Sequence, residues 1–405
     1  MKVVHIGFQY GLNNTGGAAI AATRLHLALL KAGVESHYVC VHQLEQGQNV
    51  HVLPRHGVAR FAYSILTKLM RCIWKFTSYR KSICLNLIPM FGLEKLLANI
   101  KPDVVHVQWI NADVCSFEQL SKLPYRLVFN LHDLYMLNAI EPYPGIDRRY
   151  QEGFTTNNST SLERWLLTRR KELVEKKHPV FIGPSEWVCK MCRASVVGRG
   201  RDAFAIPNII ESCFRYDPLL RKPHEKMVML FGAYGGRSGK NKGWKDCEIS
   251  LKQLPREMGE VVEVHVFGEM STDYNIDGIS IRFLGNISDS KTLVSTYHSA
   301  DIFLFPSIQE TQGMTKVEAM LCGLPVIAFN RTACAEGIEH GVTGWIATDG
   351  DYVGFSEGMK HYIRLFMRKE LSILHEEVAR CAFSLFSEDN LIKKIRTQYE
   401  KCLEC

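Results

Sequence analysis

Short apolar runs recur along the chain, each stopped by a glycine, proline or charged residue. The stretches between them return apolar side chains every third or fourth position. Runs of that length bounded by turn residues read as buried strands, and the intervening period as amphipathic helices. The first half opens with a strand "KVVHIGF", a loop "QYGLNNTGG", a helix "AAIAATRLHLALLKAG" and a second strand "ESHYVCVH". "DVVHVQWI", "YRLVFNLHD", "PVFIGPS" and "AFAIPNII" continue the series, with the helical segment "EWVCKMCRAS" between the last two. The second half begins again with "KMVMLFGAYGG" and continues through "EVVEVHVFGE", "ISIRFLGNIS", "DIFLFPS" and "LPVIAF". Strands alternating with helices predict an α/β protein with two doubly wound parallel sheets. The expected domains are 1–208, 209–385, and a polar terminal helix over 386–405 packing back on the first. No internal repeat relates the halves beyond architecture.

Ligands of open α/β sheets gather where strand carboxyl ends meet helix N-termini. "PSIQETQGMTKVEAMLCGLPVIAF", Pro306 to Phe329, reads strand end, loop, helix, strand, and it puts Glu310 at such an edge and Glu318 in the helix. A ligand is expected in the cleft between the two sheets.

Two glycine-rich loops follow first strands. Gly16 and Gly17 close the loop Gly11–Gly17, which is open to an anion or is simply a tight turn. It lacks G-x-G-x-x-G and the acidic residue of a nicotinamide site. The loop "FGAYGGRSGKNKGWKD" carries Arg237, Lys240, Lys242 and Lys245 ahead of a helix, suiting a diphosphate whose charge grows as it leaves. It lacks P-loop order, and its plain alternative is a solvated basic loop. His132, in "NLHDLYML", follows a strand and is placed to position or donate to a substrate hydroxyl, whereas Asp133 reads as a cap or turn residue.

At 405 residues and 46% hydrophobic content, the chain is long enough for two or three domains with large cores. No secretory signal pattern opens it, and no run approaches the roughly 18 apolar residues of a spanning helix, so a cytoplasmic location is expected. The thirteen cysteines fit reduced buried thiols. Cys189/Cys192 and Cys402/Cys405 have zinc-like spacing, but that spacing also belongs to one face of a helix, which is the reading adopted.

Lys plus Arg exceed Asp plus Glu by 49 − 42 = 7, and no acidic residue lies between Glu45 and Glu94. Within that window Phe61, Ile65, Leu69, Ile73 and Phe76 share one helical face, while Lys68, Arg71 and Lys75 share the opposite stripe. Residues 57–81 therefore suit an anionic membrane surface or a core-packed helix with a solvated face. No nucleic-acid partner is expected.

Together these stretches resemble the family 4 retaining glycosyltransferases of bacterial surface-polysaccharide biosynthesis, whose GT-B fold pairs two Rossmann-like domains. "PSIQETQGMTKVEAMLCGLPVIAF" looks like that family's E-x7-E segment, "GGAAIAATRLHLALLKAG" like its N-terminal glycine loop and helix, "FIGPSEWV" like its "APS" strand end, "IPNII" like its interdomain turn and "FLGNIS" like its nucleotide-facing strand end. The resemblance implies that Glu310 reaches the donor-sugar hydroxyls. The amides of Gln312, Gly313, Met314 and Thr315 would meet sugar and phosphate, and Glu318 the ribose. Gly16, Gly17, Gly285 and Asn286 would line the donor site, with His132, Arg237 and Lys242 in catalytic positions. Gln312 stands where the family commonly has an aromatic residue. The implied reaction is transfer of a sugar from a nucleoside diphosphate donor to a hydroxyl acceptor such as a lipid-linked glycan, with retention. Neither cofactor, metal nor Asp-x-Asp metal site is expected. The alternatives are a sugar-nucleotide epimerase or hydrolase on the same fold, and a catalytically idle nucleotide-sugar-binding partner subunit.

Overall fold

The structure is a computed structural model that describes all residues except 14, 55–56, 58–59, 66–67, 70–83, 144–146, 222, 224, 233–234, 240 and 405. The chain divides into two units, Met1–Pro207 with Ile392–Cys405, and Asn208–Leu391.

In the first unit the described strands are β1 (Lys2–Tyr10), β2 (Glu35–Gln43), β3 (Val50–Val52), β4 (Val104–Val107), β5 (Arg126–Asn130), β6 (Val180–Gly183) and β7 (Ala203–Ala205). They form one parallel sheet in the order β3-β2-β1-β4-β5-β6-β7. β4 is buried at every position because helices cover both faces of a parallel sheet. One face packs Val105, Val107, Leu127 and Phe129 against Leu93 and Leu97 of helix Leu93–Ile100 and Leu173 of helix Ser161–Lys177. That last helix starts with a capping box in which Thr160 and Glu163 satisfy each other's orphan amides. The terminal helix Glu388–Glu404 buries Tyr399, whose hydroxyl lies 2.7 Å from His106 Nδ1.

In the second unit the strands are β8 (Met227–Gly232), β9 (Val262–Phe267), β10 (Tyr274–Ile276), β11 (Ile279–Gly285), β12 (Ile302–Phe305), β13 (Val326–Phe329) and β14 (Gly344–Ala347). Their order is β10-β11-β9-β8-β12-β13-β14, parallel except for the antiparallel edge pair β10/β11. β8, β12 and β13 are buried throughout, which is why they stand out as pure hydrocarbon. The short strands β3, β10 and β14 are not expected from the sequence, because each is part-exposed and so shows no unbroken apolar run.

Among the described residues, no helix is long and apolar enough to cross a membrane. In segment 57–81, residues 58–59, 66–67 and 70–81 lie outside the described residues, while Phe61, Ile65 and Leu69 are exposed. Cys189 and Cys192 are buried on helix Glu186–Ala194, Cys402 is buried, and Cys405 lies outside the described residues.

Candidate functional site

β8, β12 and β13 lie side by side with Phe231 opposite Leu304 and Phe305 opposite Ala328, so the loops leaving their carboxyl ends emerge together. Two contacts stitch the first two loops. The Ile308 amide donates to the Asn241 carbonyl at 2.8 Å. Gly243, at φ 70°, lies so close to Pro306 that a Cβ would stand 1.9 Å from its carbonyl oxygen. Only glycine allows both that backbone conformation and that approach. Lys242, between these two residues, donates from Nζ to Glu310 Oε1 at 2.7 Å. The Ser307 hydroxyl donates to the same oxygen at 3.2 Å. The Glu310 amide donates to Thr332 Oγ1 at 3.0 Å, and the Ala333 amide donates back to the Glu310 carbonyl at 3.4 Å. The Lys242 and Glu310 side chains remain 30% and 14% exposed, so a solute can reach them.

Helix Met314–Leu321 begins beside this pair. Its N-cap Gly313 has φ 81° and lies against Phe305, where a Cβ would stand 2.4 Å from the ring. No side chain caps the helix, so the amides of Met314 and Thr315 face outward without intrahelical acceptors and favour an anion. Gln312 is buried. Its Oε1 accepts the Asn208 amide at 2.9 Å, and its Nε2 has no partner among the described residues. Glu318 is 4% exposed, and Tyr297 OH lies 3.2 Å from its Oε2 and 3.3 Å from the Thr315 carbonyl.

Arg237 sits elsewhere on the same edge. Its amide and guanidinium donate to Glu269 at 2.7 and 3.0 Å, Nη2 donates to Ser271 at 2.8 Å, and the guanidinium lies 4.5 Å above the Phe283 ring. Its charge is therefore matched by a carboxylate, and Lys242 is the cation that meets Glu310. Gly285 ends β11 at φ 78° and accepts the Gly268 amide at 2.8 Å, and Asn286 beside it is exposed. Lys240 lies outside the described residues.

In the first unit Gly16 caps helix Gly17–Lys31 without a side-chain hydrogen bond, and Gly16 and Gly17 are exposed. A Cβ at Gly16 would meet nothing within 4 Å, which leaves open approach to this helix start. An open depression of about 620 Å³ beside the ends of β1 and β2 is lined by Phe8, His42, Leu44 and Val52 among others. His132 is buried, with Nε2 at 2.9 Å from Gln108 Oε1 and 3.1 Å from Asn130 Nδ2. Burial lowers its pKa to about 4, so the imidazole is neutral at neutral pH. Asp133 accepts from the Tyr135 amide at 2.9 Å, Trp109 Nε1 at 3.0 Å and Asn111 at 2.9 Å, the work of a turn residue.

Several site neighbours escaped sequence reading. Ser307 and Thr332 hold Glu310, Tyr297 meets Glu318, and Lys316 is buried behind them. One signal was available for Lys316, a lone ammonium inside the otherwise apolar "MTKVEAM". The expectation of no Asp-x-Asp needs correction, because Asp349 and Asp351 form one. Both carboxylates do structural work: Asp349 pairs with Arg331, and Asp351 accepts the Gly354 amide at 2.8 Å as a helix cap. Among the described residues, no group of three or more His, Cys, Asp or Glu is placed to hold a metal ion.

The family described as Glycosyltransferase Family 4 matches residues 15–211, and the one described as Glycosyl transferases group 1 matches 233–364. The capsular polysaccharide biosynthesis glycosyltransferase CapM of Staphylococcus aureus is 29% identical over 136 residues, which are 32% of this chain and 36% of CapM. The matched stretch thus spans about a third of that relative's length. Sucrose-phosphate synthase from Thermosynechococcus elongatus superimposes with a TM-score of 0.67 at 15% identity, covering 99% of this chain and 98% of that one. Anabaena HepE in complex with UDP gives a TM-score of 0.62 at 16% identity, covering 99% and 100%. With one profile on each unit, a shared GT-B architecture and the Glu310 to Glu318 segment at the sheet's carboxyl edge, the chain belongs to family 4 of the glycosyltransferases.

Proposed function

We propose that this protein transfers a sugar from a nucleoside diphosphate donor to a hydroxyl of a glycan acceptor, retaining the anomeric configuration and needing no metal ion. The observation that carries the reading is the Lys242–Glu310 pair at 2.7 Å next to the uncapped start of helix Met314–Leu321. The carboxylate accepts donor-sugar hydroxyls, and the amides of Met314 and Thr315 receive the diphosphate. The ammonium of Lys242 steadies the charge that develops on the leaving oxygen. Glu318, further into the helix, accepts the ribose hydroxyls.

UDP in the HepE structure supports a nucleoside diphosphate as the donor's leaving group. The name of CapM supports an acceptor in capsular-polysaccharide assembly, and we take that acceptor to be lipid-linked and met at the cytoplasmic face of a membrane. The exposed Phe61, Ile65 and Leu69 and the basic stripe around Lys68 fit such a surface.

A panel of nucleotide sugars, incubated with and without lipid-linked and soluble glycans and read by mass spectrometry, tests the proposal. Acceptor-dependent mass gain by one sugar supports it. Sugar release or isomerisation without acceptor favours the epimerase or hydrolase alternative. Thermal stabilisation by a nucleotide sugar without any turnover marks an idle binding subunit.

A further inference from the structure

Lys316 is 1% exposed, and its ammonium spends all three protons on backbone carbonyls. Nζ donates to Ala333 at 3.1 Å, Cys334 at 3.0 Å and Glu336 at 2.7 Å. A buried charge is costly unless fully hydrogen-bonded, and a methionine would fill the same volume without that cost. What the three carbonyls share is their place in the chain, just after Thr332.

Thr332 has φ 45°. A β-branched residue in the left-handed region is strained and persists only where its surroundings over-determine it. Here the strained residue turns its hydroxyl to accept the Glu310 amide at 3.0 Å, while the next amide, Ala333, grips the Glu310 carbonyl at 3.4 Å. The Cys334 thiol reaches the Ser307 carbonyl at 3.3 Å, and Ser307 donates to the Glu310 carboxylate. Among the described residues, the hydrogen bonds that fix Glu310, apart from that of Lys242, thus come from the turn that Lys316 holds or from the loop that this turn keeps in place.

We propose that Lys316 is a positioning residue: its ammonium, by binding the carbonyls of Ala333, Cys334 and Glu336, holds Thr332 in its left-handed conformation and so fixes Glu310 for the donor sugar. The sugar is taken from the function proposed above, whereas the fixing of Glu310 is independent of it. The groups facing the ammonium are Glu310, Glu336, Cys334 and the Phe305 ring, 5.8 Å away. Desolvation lowers its pKa to about 8. The proton is therefore lost, and the grip weakened, as pH rises through that value.

The test compares the full-length wild type with Lys316→Met and Lys316→Arg. Hydrogen exchange by mass spectrometry reads the positioning without reference to activity. In Lys316→Met, peptides covering 307–312 and 330–336 should exchange at least about tenfold faster, with first-unit peptides unchanged. Unchanged exchange in those peptides overturns the proposal. Steady-state kinetics then reads the consequence. In Lys316→Met, kcat with the nucleotide sugar should fall at least about tenfold while nucleoside diphosphate binds within about twofold of wild type, because the diphosphate does not use Glu310. Parallel loss of both, or a kcat within about threefold of wild type, overturns it. Wild-type turnover should decline above about pH 8, and Lys316→Arg should move that limb out of range. An identical limb in Lys316→Arg also overturns the proposal. A wild type that turns over no nucleotide sugar defeats the functional reading and leaves the exchange result to decide the role of Lys316.

Discussion

Lys242 and Glu310 stand 68 residues apart and meet at 2.7 Å, because Gly243 lets one loop press against the Pro306 carbonyl of the other. The pair is partly exposed, so its contribution to stability is at most about 1 kcal/mol. Its value should therefore be read in turnover. Lys242→Ala and Glu310→Gln are each expected to lower kcat/KM for the nucleotide sugar by about a hundredfold or more, with melting temperatures within about 2 °C of wild type. Purified variants that turn over at wild-type rates would remove the pair from the site.

Glu318 is 4% exposed and shares Tyr297 OH with the Thr315 carbonyl. Because its proposed partner is the ribose, Glu318→Ala should weaken binding of the bare nucleoside diphosphate by about ten- to a hundredfold. Tyr297→Phe, which keeps the ring and removes the hydroxyl, should weaken it by only about two- to fivefold. Calorimetric titration of both variants checks the contrast, and equal affinities for Glu318→Ala and wild type would place the ribose elsewhere.

The parts that were legible in the sequence share a physical cause. β8, β12 and β13 are buried on both faces, so each reads as unbroken hydrocarbon stopped by Gly232, Pro306 or a polar turn. Lys242 and Glu310 lie in the loops that follow β8 and β12, and Glu318 in the helix after the second, and a parallel sheet brings the loops leaving its strands to one edge. Thr332 and Lys316 were not legible, because their roles depend on a backbone angle and on which carbonyls a buried amine meets. Residue type and spacing encode neither. Arg237 shows the same limit. Its place in a basic loop is visible in sequence, but its engagement by Glu269, 32 residues on, is not.

Metal independence has a direct test. Asp349 and Asp351 are occupied by Arg331 and by the Gly354 amide, and the proposed diphosphate partners are Lys242 and helix amides. Turnover in excess EDTA should stay within about twofold of that in magnesium. Turnover abolished by EDTA and restored by magnesium or manganese would mean that a cation neutralises the leaving group.

Membrane contact would draw on Lys68, Arg71 and Lys75 from the sequence and on the exposed Phe61, Ile65 and Leu69. Co-sedimentation with anionic liposomes is expected at low salt, weakening by about 0.5 M salt as the charges are screened over roughly a few ångströms. Reversing the three basic residues to glutamate should abolish it. Wild type that stays in the supernatant at low salt would favour a soluble acceptor.

Acid should destabilise the first unit through its buried histidines. His5, His26, His106 and His132 are all buried there. His5 and His106 are paired across β1 and β4 with ring centroids 5.2 Å apart, and His26 is held by Ser36 at 2.8 Å and the Gln48 carbonyl at 2.9 Å. The other titratable groups beside them include Tyr10, Tyr38 and Tyr399, none an anion near neutral pH, and His37 and His51, whose charges push the His26 pKa further down. Desolvation lowers the His106 pKa to about 3 and those of His26 and His132 to about 4, and it pushes His5 the same way. In the unfolded chain each imidazole takes a proton near pH 6.5, while in the folded unit it does not until well below that. The unfolded state therefore binds more protons as pH falls through that window, and stability falls with it. The slope approaches about 1.4 kcal/mol per pH unit for each such histidine. Melting measured between about pH 7.5 and about pH 5 should show a steep loss for the first unit, shallower in His26→Gln, where one of these protons is removed from the balance. A melting temperature flat across that range would mean that these histidines are protonated in the folded chain.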